Sequence, residues 1–326
     1  MLRTGLAVVH AIVLTLTALP LAAQTDPGSY PSKPVRFICP FPPGGLNDLL
    51  ARYFAQRLTD VFGQQVFVDN RGGAAGIIGA EAGMRAAPDG YTIVMANLSM
   101  LAINPSLYAK LPYEPMRDFA HVIELAESIN LLLVHPSLPA RSVKALLALA
   151  KAHPGDINFG SPGIGTPQHL AIELMNSMAG VKMHHVPYKG SGAGIPALIA
   201  GESQVYMEPI ATIMPHVKSG RVRALAVTSA QRAAMLPELP TMADTLPGYE
   251  FASWYGVLMP AATPRPLLLR VNEAINRVLA APEVKSYLEK QAMVPLGGPP
   301  EKFTERVKRE SARWGKVIKD TGARAE

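Results

Sequence analysis

The chain has 326 residues, 48% of them hydrophobic and 17% charged, with 31 Lys and Arg against 25 Asp and Glu for a formal net charge of +6. That length favours two domains over one and supplies enough apolar content for full-sized cores. The mild positive charge carries no Lys/Arg run, which argues against nucleic acid as a partner and is compatible with small anionic ligands.

The N-terminus opens with Arg3, continues through Gly5 to Leu21 without an Asp, Glu, Lys or Arg, and reaches small residues at Ala22 and Ala23 before Gln24. This reads as a secretory signal peptide over 1–23, cleaved near Ala23. The alternative is a membrane anchor, for which the apolar span is short. No cysteine stands at the cleavage point to carry a lipid. Cys39 is the one cysteine, so an exported chain has no internal disulfide. Within an apolar strand it reads as a buried small residue rather than a nucleophile.

The stretch Val35 to Leu58 sets the grammar of the chain. A short strand, Val35 to Cys39, breaks at Pro40, Pro42, Pro43, Gly44 and Gly45. It is followed by a helix with Leu49, Tyr53 and Leu58 at helical spacing, which Asn47 or Asp48 can cap. A glycine turn opening a helix leaves N–H groups free at the positive end of the helix dipole, a place that suits an anion. The pattern returns at Ile157 to Met175 and at His185 to Ile199. Three such loops suggest a small ligand held between strand ends and helix starts, although each also reads as an ordinary strand–helix connection.

Taken in order, Gln65 to Asn70 is a second strand, Arg71 to Gly83 a Gly/Ala-rich turn and helix, and Tyr91 to Ala96 a buried strand leading to a polar loop at Asn97 to Met100. That βαβαβ spacing predicts a parallel sheet. Asn104 to Asp118 reads as a surface segment and His121 to His135 as strand-like. Arg141 to Ala152 is an amphipathic helix. Beyond the second and third glycine loops come strands ending at Glu208 and Thr228, a helix from Ile210, a turn-rich run from Leu236 to Gly248, and a strand carrying Trp254 and Tyr255. Helices follow over Pro264 to Leu279, Pro282 to Gln291 and Pro300 to Ile318. The last carries many charges that read as a solvated face. The class is α/β, with the terminal helices expected to pack back on the first sheet.

Several chemistries lack their residues. Ser161 in FGSPG and Ser191 in KGSGA each miss the G-x-S-x-G elbow by one position, and no P-loop occurs. Gly192 to Ala197 fits G-x-G-x-x-A, but Pro196 in the helix start and the export signal argue against a dinucleotide. The histidines show no metal spacing. His169, one turn after Gly165-Thr166, reads as a site residue or as packing on its own helix. No catalytic residue, metal or cofactor is expected. What is left is backbone-rich loops with hydroxyls, amides and two acids, a lining suited to a carboxylate. Asp48 reads equally as a helix cap. Glu208 could accept from a ligand hydroxyl or ammonium group, or be a surface acid.

The motifs PFPPGGLNDLLAR (40–52), AAPDGYTIVMAN (86–97), INPSLY (103–108), the run 134–174, HVPYKGSGAGIPALIAGESQVYME (185–208), RVRALAVTS (221–229), LPELPTMAD (236–244) and WYGVLMPAATP (254–264) give the chain a close resemblance to the Bug family. These are the extracytoplasmic substrate-binding receptors of tripartite tricarboxylate transporters. The resemblance implies a two-lobed periplasmic binding protein of type II, a Venus flytrap with two crossover segments near 124–131 and 250–257. One lobe would hold 24–127 plus 251–326 and the other 128–250.

It also implies a small carboxylate ligand, periplasmic localisation, a monomer, and delivery to transporter membrane subunits or presentation to a sensor receptor. An exported hydrolase is the remaining, enzymatic alternative. Ligand contacts are implied at Phe41, Gly44, Gly45, Asn47, Asp48, Asn97, Ser99, Ser161, Gly165, Thr166, His169, Tyr188 and Glu208. The carboxylate is expected on N–H groups around Gly44, Gly45, Gly165 and Thr166. Asn47 replaces a hydroxyl usual in the family, Asp69 and Gly72 replace a Glu and a Pro, and Glu208 stands where Asp is common, so the ligand does not carry over from a relative.

Overall fold

Two mixed sheets, joined where one strand runs almost directly into the next, set the architecture of residues 30–321, the part described in a computed structural model of the chain. Residues 1–29, on which the expected signal peptide and its cleavage near Ala23 fall, lie outside the described residues, as do residues 322–326. From Pro31 onward the chain forms one unit.

The first half contributes β1 (Val35–Cys39), α1 (Leu46–Phe62), β2 (Val66–Asn70), a 3-10 turn (Ala74–Gly76), α2 (Ile77–Met84), β3 (Thr92–Asn97), a π turn (Ser99–Ile103), α3 (Asn104–Leu107), α4 (Pro115–Asp118) and β4 (Phe119–Ser128). Then come β5 (Asn130–Val134), α5 (Val143–Ala152), β6 (Asn158–Ser161), α6 (Pro167–Ala179), β7 (His184–Pro187), α7 (Ser191–Ala200), β8 (Val205–Pro209), α8 (Ile210–Lys218) and β9 (Arg223–Val227). The chain ends with β10 (Ser253–Pro260), α9 (Arg265–Ala280), α10 (Pro282–Lys290), β11 (Met293–Pro295) and α11 (Pro300–Thr321).

The first sheet has the order β11-β4-β10-β3-β1-β2 and the second β7-β6-β8-β5-β9. Strand β1 pairs parallel with β2 and β3, as the βαβαβ spacing predicts. The sheet as a whole is nevertheless mixed, because β10 inserts antiparallel between β3 and β4 and β11 adds antiparallel to β4. Local spacing cannot reveal this, since β10 arrives from far along the chain.

The run His121 to His135 is likewise two strands. The chain leaves the first sheet at Ser128, turns through Ile129 and enters the second at Asn130, where the Asn130 N–H donates to Thr228 Oγ1 at 3.1 Å. It returns after β9, where the Phe251 N–H donates to the Thr228 carbonyl at 3.0 Å. The two crossings therefore lie side by side. Asn97 to Met100 also departs from the expected polar loop. Asn97 ends β3, and the π turn that follows is fully buried.

Helix α1 shows why the elements form. Leu50, Phe54 and Leu58 recur on its buried face; each such side chain, fully buried, contributes roughly 1.5–3 kcal/mol. Gly63 closes it in the left-handed conformation. Its N-cap is Gly45, with no side-chain cap, so neither Asn47 nor Asp48 fills that position. In α11, Phe303, Val307, Trp314 and Ile318 form the buried stripe, and Lys308 and Arg309 stay exposed. The helix packs on β4, as does α9, whose Asn272 Nδ2 donates to the Val122 carbonyl at 2.8 Å. Among the described residues no helix is long and apolar enough to cross a membrane.

Candidate ligand-binding site

Three helices begin at one cavity. Its wall takes Gly45, Leu46 and Asn47 from the start of α1, Thr166, Pro167 and Gln168 from the start of α6, and Gly190 to Ala193 from the start of α7. Asn97 at the end of β3, Glu208 and Pro209 at the end of β8, and Ser253 and Tyr255 on β10 complete it, with Phe41, Pro42, Pro43, Pro162 and Lys189. The cavity measures about 110 Å³, several times the room one water requires. It lies at the carboxyl ends of β1, β3, β6 and β8, where open α/β sheets bind small molecules.

The helix starts make this cavity favourable to negative charge. First-turn N–H groups have no partner within their own helix. Those of Leu46, Asn47, Gln168, Ser191 and Gly192 find no acceptor among the described residues. Three helix dipoles add their positive ends. The Asn47 side-chain oxygen is buried without a hydrogen-bond partner among the described residues, so the Asn47 amide is available to whatever fills the cavity. Lys189 is the single cation in the wall and Glu208 the single acid.

Glu208 is almost fully buried. Its carboxyl is held by the hydroxyls of Ser191 (3.1 Å) and Thr212 (2.8 Å) and, among the described residues, has no ion-pair partner. Burial pushes it up to about 7, against the smaller opposing effect of the two hydroxyls. It is not a surface acid.

Of the other residues expected at the site, Phe41, Gly45, Asn47, Asn97 and Thr166 face this cavity. Gly44, Asp48, Ser99, Ser161, Gly165 and His169 do not; they build the turns behind it. The Gly44 N–H donates to Asp48 Oδ2 at 3.1 Å. Asp48 also takes Arg52 Nε (3.0 Å) and Asn70 Nδ2 (2.9 Å). Burial alone would raise this carboxyl, but the bonds from Arg52, Asn70 and Gly44 outweigh it and hold it below its usual range.

The Gly165 N–H donates to His169 Nδ1 at 3.3 Å, its carbonyl accepts from Ser99 Oγ at 2.9 Å, and the Thr166 N–H donates to the Gly163 carbonyl at 3.3 Å. The N–H groups of Gly44, Gly165 and Thr166 are thus already engaged, and the free donors at Leu46, Asn47 and Gln168 sit two or three residues further on. Sequence alone places the turn but not which N–H it spends on its own side chains. Tyr188 lies in the wall of a neighbouring cavity, described below.

His169 and His185 are structural. His169 stacks on His185 with ring centroids 4.0 Å apart, and both rings lie against Phe159. Burial pushes His169 down to about 3 and His185 to about 4. His185 Nε2 stands 2.7 Å from Ser161 Oγ, a pairing invisible in sequence. Ser161 is fully buried and is spent on its own turn, accepting the Gly163 N–H at 3.1 Å. Cys39 is buried and its thiol pushed up to about 12, chiefly by burial. The G-x-G-x-x-A match is a packing device. A Cβ at Gly194 would stand 2.1 Å from the Tyr206 hydroxyl, so only glycine lets α7 close on β8.

Gln168, Ser253 and Tyr255 face the cavity without having been singled out by sequence. For Tyr255 the usable signal was strand alternation. Trp254 turns to the α11 side, against Phe303, which sends its neighbours to the opposite face.

Two mixed sheets with paired crossings and a cavity at their strand ends define a two-lobed solute-binding protein of type II. The family model described as "Tripartite tricarboxylate transporter family receptor" matches residues 50–323. The chain is 34% identical to Protein BugT of Bordetella pertussis, over 93% of this chain and 94% of that protein. Among solved structures it resembles R. palustris Rpa4515 with adipate (36% identity, TM-score 0.87, 90% of this chain and 98% of that one). It also resembles MatC from Rhodopseudomonas palustris with bound malate (28% identity, TM-score 0.84, 89% and 100%). The chain belongs to the tripartite tricarboxylate transporter receptor family, whose curated members include Bug proteins.

Proposed function

We propose that the protein is exported by cleavage near Ala23, captures a small carboxylate in the periplasm, and hands it as a monomer to the membrane subunits of a tripartite tricarboxylate-type transporter. The observation that carries this reading is the convergence of three helix starts on one cavity with their first-turn N–H groups unspent. Such donors stabilise an anion without a buried arginine. The relatives solved with adipate and malate hold acids of the same class.

The ligand contacts we assign are the helix-start N–H groups, the Asn47 amide, Asn97, Thr166, Ser191, Tyr255 and Glu208. The two sheets with their helices act as lobes, 24–127 plus 251–326 and 128–250, that close over the ligand about the crossings at Ile129 and after Thr228. Ligand contacts made from both sides favour the closed state.

A thermal-shift screen of the chain from Gln24 onward tests the capture step, using mono-, di- and tricarboxylates, aromatic acids and amino acids. A ligand at a hundredfold over its Kd stabilises the fold by about 2.7 kcal/mol, a readily visible shift. The reading fails if no acid shifts the transition and mass spectrometry after denaturation finds no acid carried through purification. Delivery is tested by uptake of the identified acid in cells with and without the gene. Uptake that does not depend on the protein would leave it a receptor that reports to a sensor instead.

A further inference from the structure

A second cavity adjoins the first across a common wall, the neck between the two. It measures about 560 Å³ and shares Phe41, Pro42, Pro162, Thr166, Lys189 and Gly190 with the wall of the inner one. The chemistry changes sharply across that neck. The inner cavity holds the acid Glu208, the amides of Asn47, Asn97 and Gln168, and the hydroxyls of Ser191 and Ser253. The outer wall has no acid, no amide side chain and, beyond Lys189 at the neck, no cation. It is built from Phe41, Pro42 and Tyr108 on one side and Ile164, Pro187 and Tyr188 on the other.

The floor of the outer cavity is kept recessed by an unusual backbone. Ala74 and Ala75 both adopt left-handed conformations, with φ of 46° and 50°. Such strain in non-glycine residues persists only where the surroundings over-determine it, and it clusters at functional sites. Here Asn104 Nδ2, donating to the Ala75 carbonyl at 3.1 Å, pins the turn. The flanking glycines resist a side chain: a Cβ at Gly72 would stand 2.8 Å from the Pro42 ring and backbone, and Gly73 has a φ of 138°, which L side chains rarely adopt. The turn therefore presents backbone and methyl groups to the cavity and nothing longer.

Resting on the receptor reading above, we propose that the ligand is an amphipathic acid. A single carboxylate end lies against the three helix starts in the inner cavity, and an apolar alkyl or aryl body passes the neck to fill the outer one. Apolar bodies gain free energy in proportion to the surface they remove from water, and the side-chain polar groups the outer wall would have to desolvate are limited to the hydroxyls of Tyr108, Tyr188 and Thr166 and the Lys189 ammonium.

The test is a calorimetric titration of the mature chain with straight-chain monocarboxylates from butanoate to octanoate. The α,ω-dicarboxylates of matching length serve as comparison. Affinity is expected to rise about three- to fourfold per added methylene as the outer cavity fills, and each monocarboxylate to bind more tightly than its dicarboxylate. Ile164→Gln, on an exposed turn, is expected to flatten the dependence on chain length, with its melting temperature reporting that it is folded. Affinity independent of chain length, or tighter binding by the dicarboxylates, overturns the amphipathic ligand and leaves the receptor reading standing. Binding of none of these acids, nor of any other carboxylate, overturns both.

Discussion

Glu208 is the residue on which the pH behaviour of the site turns. It is buried, faces the cavity and is held by two hydroxyls, with no ion-pair partner among the described residues. Its folded value, about 7, lies above the ordinary 4.5. For a group raised on folding, the stability it contributes is fully present below about pH 4.5 and is lost as pH rises through about 7. Ionised Glu208 also repels an anionic ligand. Affinity for a carboxylate is therefore expected to fall as pH rises through 7, by at most about tenfold per pH unit. Glu208→Gln stays neutral and is expected to remove that fall, together with the drop in melting temperature of the ligand-free protein over the same window. Titrations between pH 5.5 and 8.5 decide it. Equal pH dependence in wild type and variant would mean that Glu208 does not titrate in the cavity.

At the scale of elements, α11 is held to β4 by a charged cluster. Arg306 Nη1 lies 2.9 Å from Glu124 Oε1, Arg306 Nη2 lies 2.8 Å from Glu127 Oε2, and the guanidinium stands over the Trp254 ring. Burial pushes Glu124 up to about 7 even with Arg306 beside it. Removing one partner of a buried pair leaves the other uncompensated, which costs about 3–5 kcal/mol. Arg306→Ala is expected to destabilise the fold by about 3 kcal/mol at pH 8, where Glu124 would otherwise be ionised. The loss should be smaller at pH 5.5, where Glu124 is protonated in either case. Urea denaturation at the two pH values measures both. The same loss at both would assign the effect to packing of the arginine stem on Trp254.

At the scale of the whole molecule, one hydrogen bond reports on closure. Ser99 Oγ, on the turn after β3 of the first sheet, donates to the Gly165 carbonyl ahead of α6 on the second sheet. Both groups are buried behind the cavity. If the sheets separate when the ligand leaves, this bond belongs to the closed state alone. Ser99→Ala then weakens ligand binding about fivefold, the worth of roughly 1 kcal/mol for one hydrogen bond, and leaves the ligand-free melting temperature in place. Should the ligand-free protein lose that stability instead, with affinity unchanged, the two loops stay together in both states and closure occurs elsewhere.

What the sequence determined by itself is local. Strand, glycine turn and helix at 35–58, 157–175 and 185–199 are dictated by apolar runs, by proline and glycine at the breaks, and by helical spacing after them. The structure shows each in place. Glu208 at a strand end and the run of eight shared motifs were legible for the same reason: they are properties of short stretches.

Tertiary structure decided which stretches meet. It inserted β10 between β3 and β4, split His121 to His135 between two sheets, and brought three helix starts to one cavity. It also spent the Gly44 and Gly165 N–H groups on Asp48 and His169 and set Ser161 against His185. Donors in sequence are counted per residue, but their availability depends on an acceptor that only the folded chain brings within 3.5 Å. The chemistry of the cavity could thus be read from the residues, and its geometry could not.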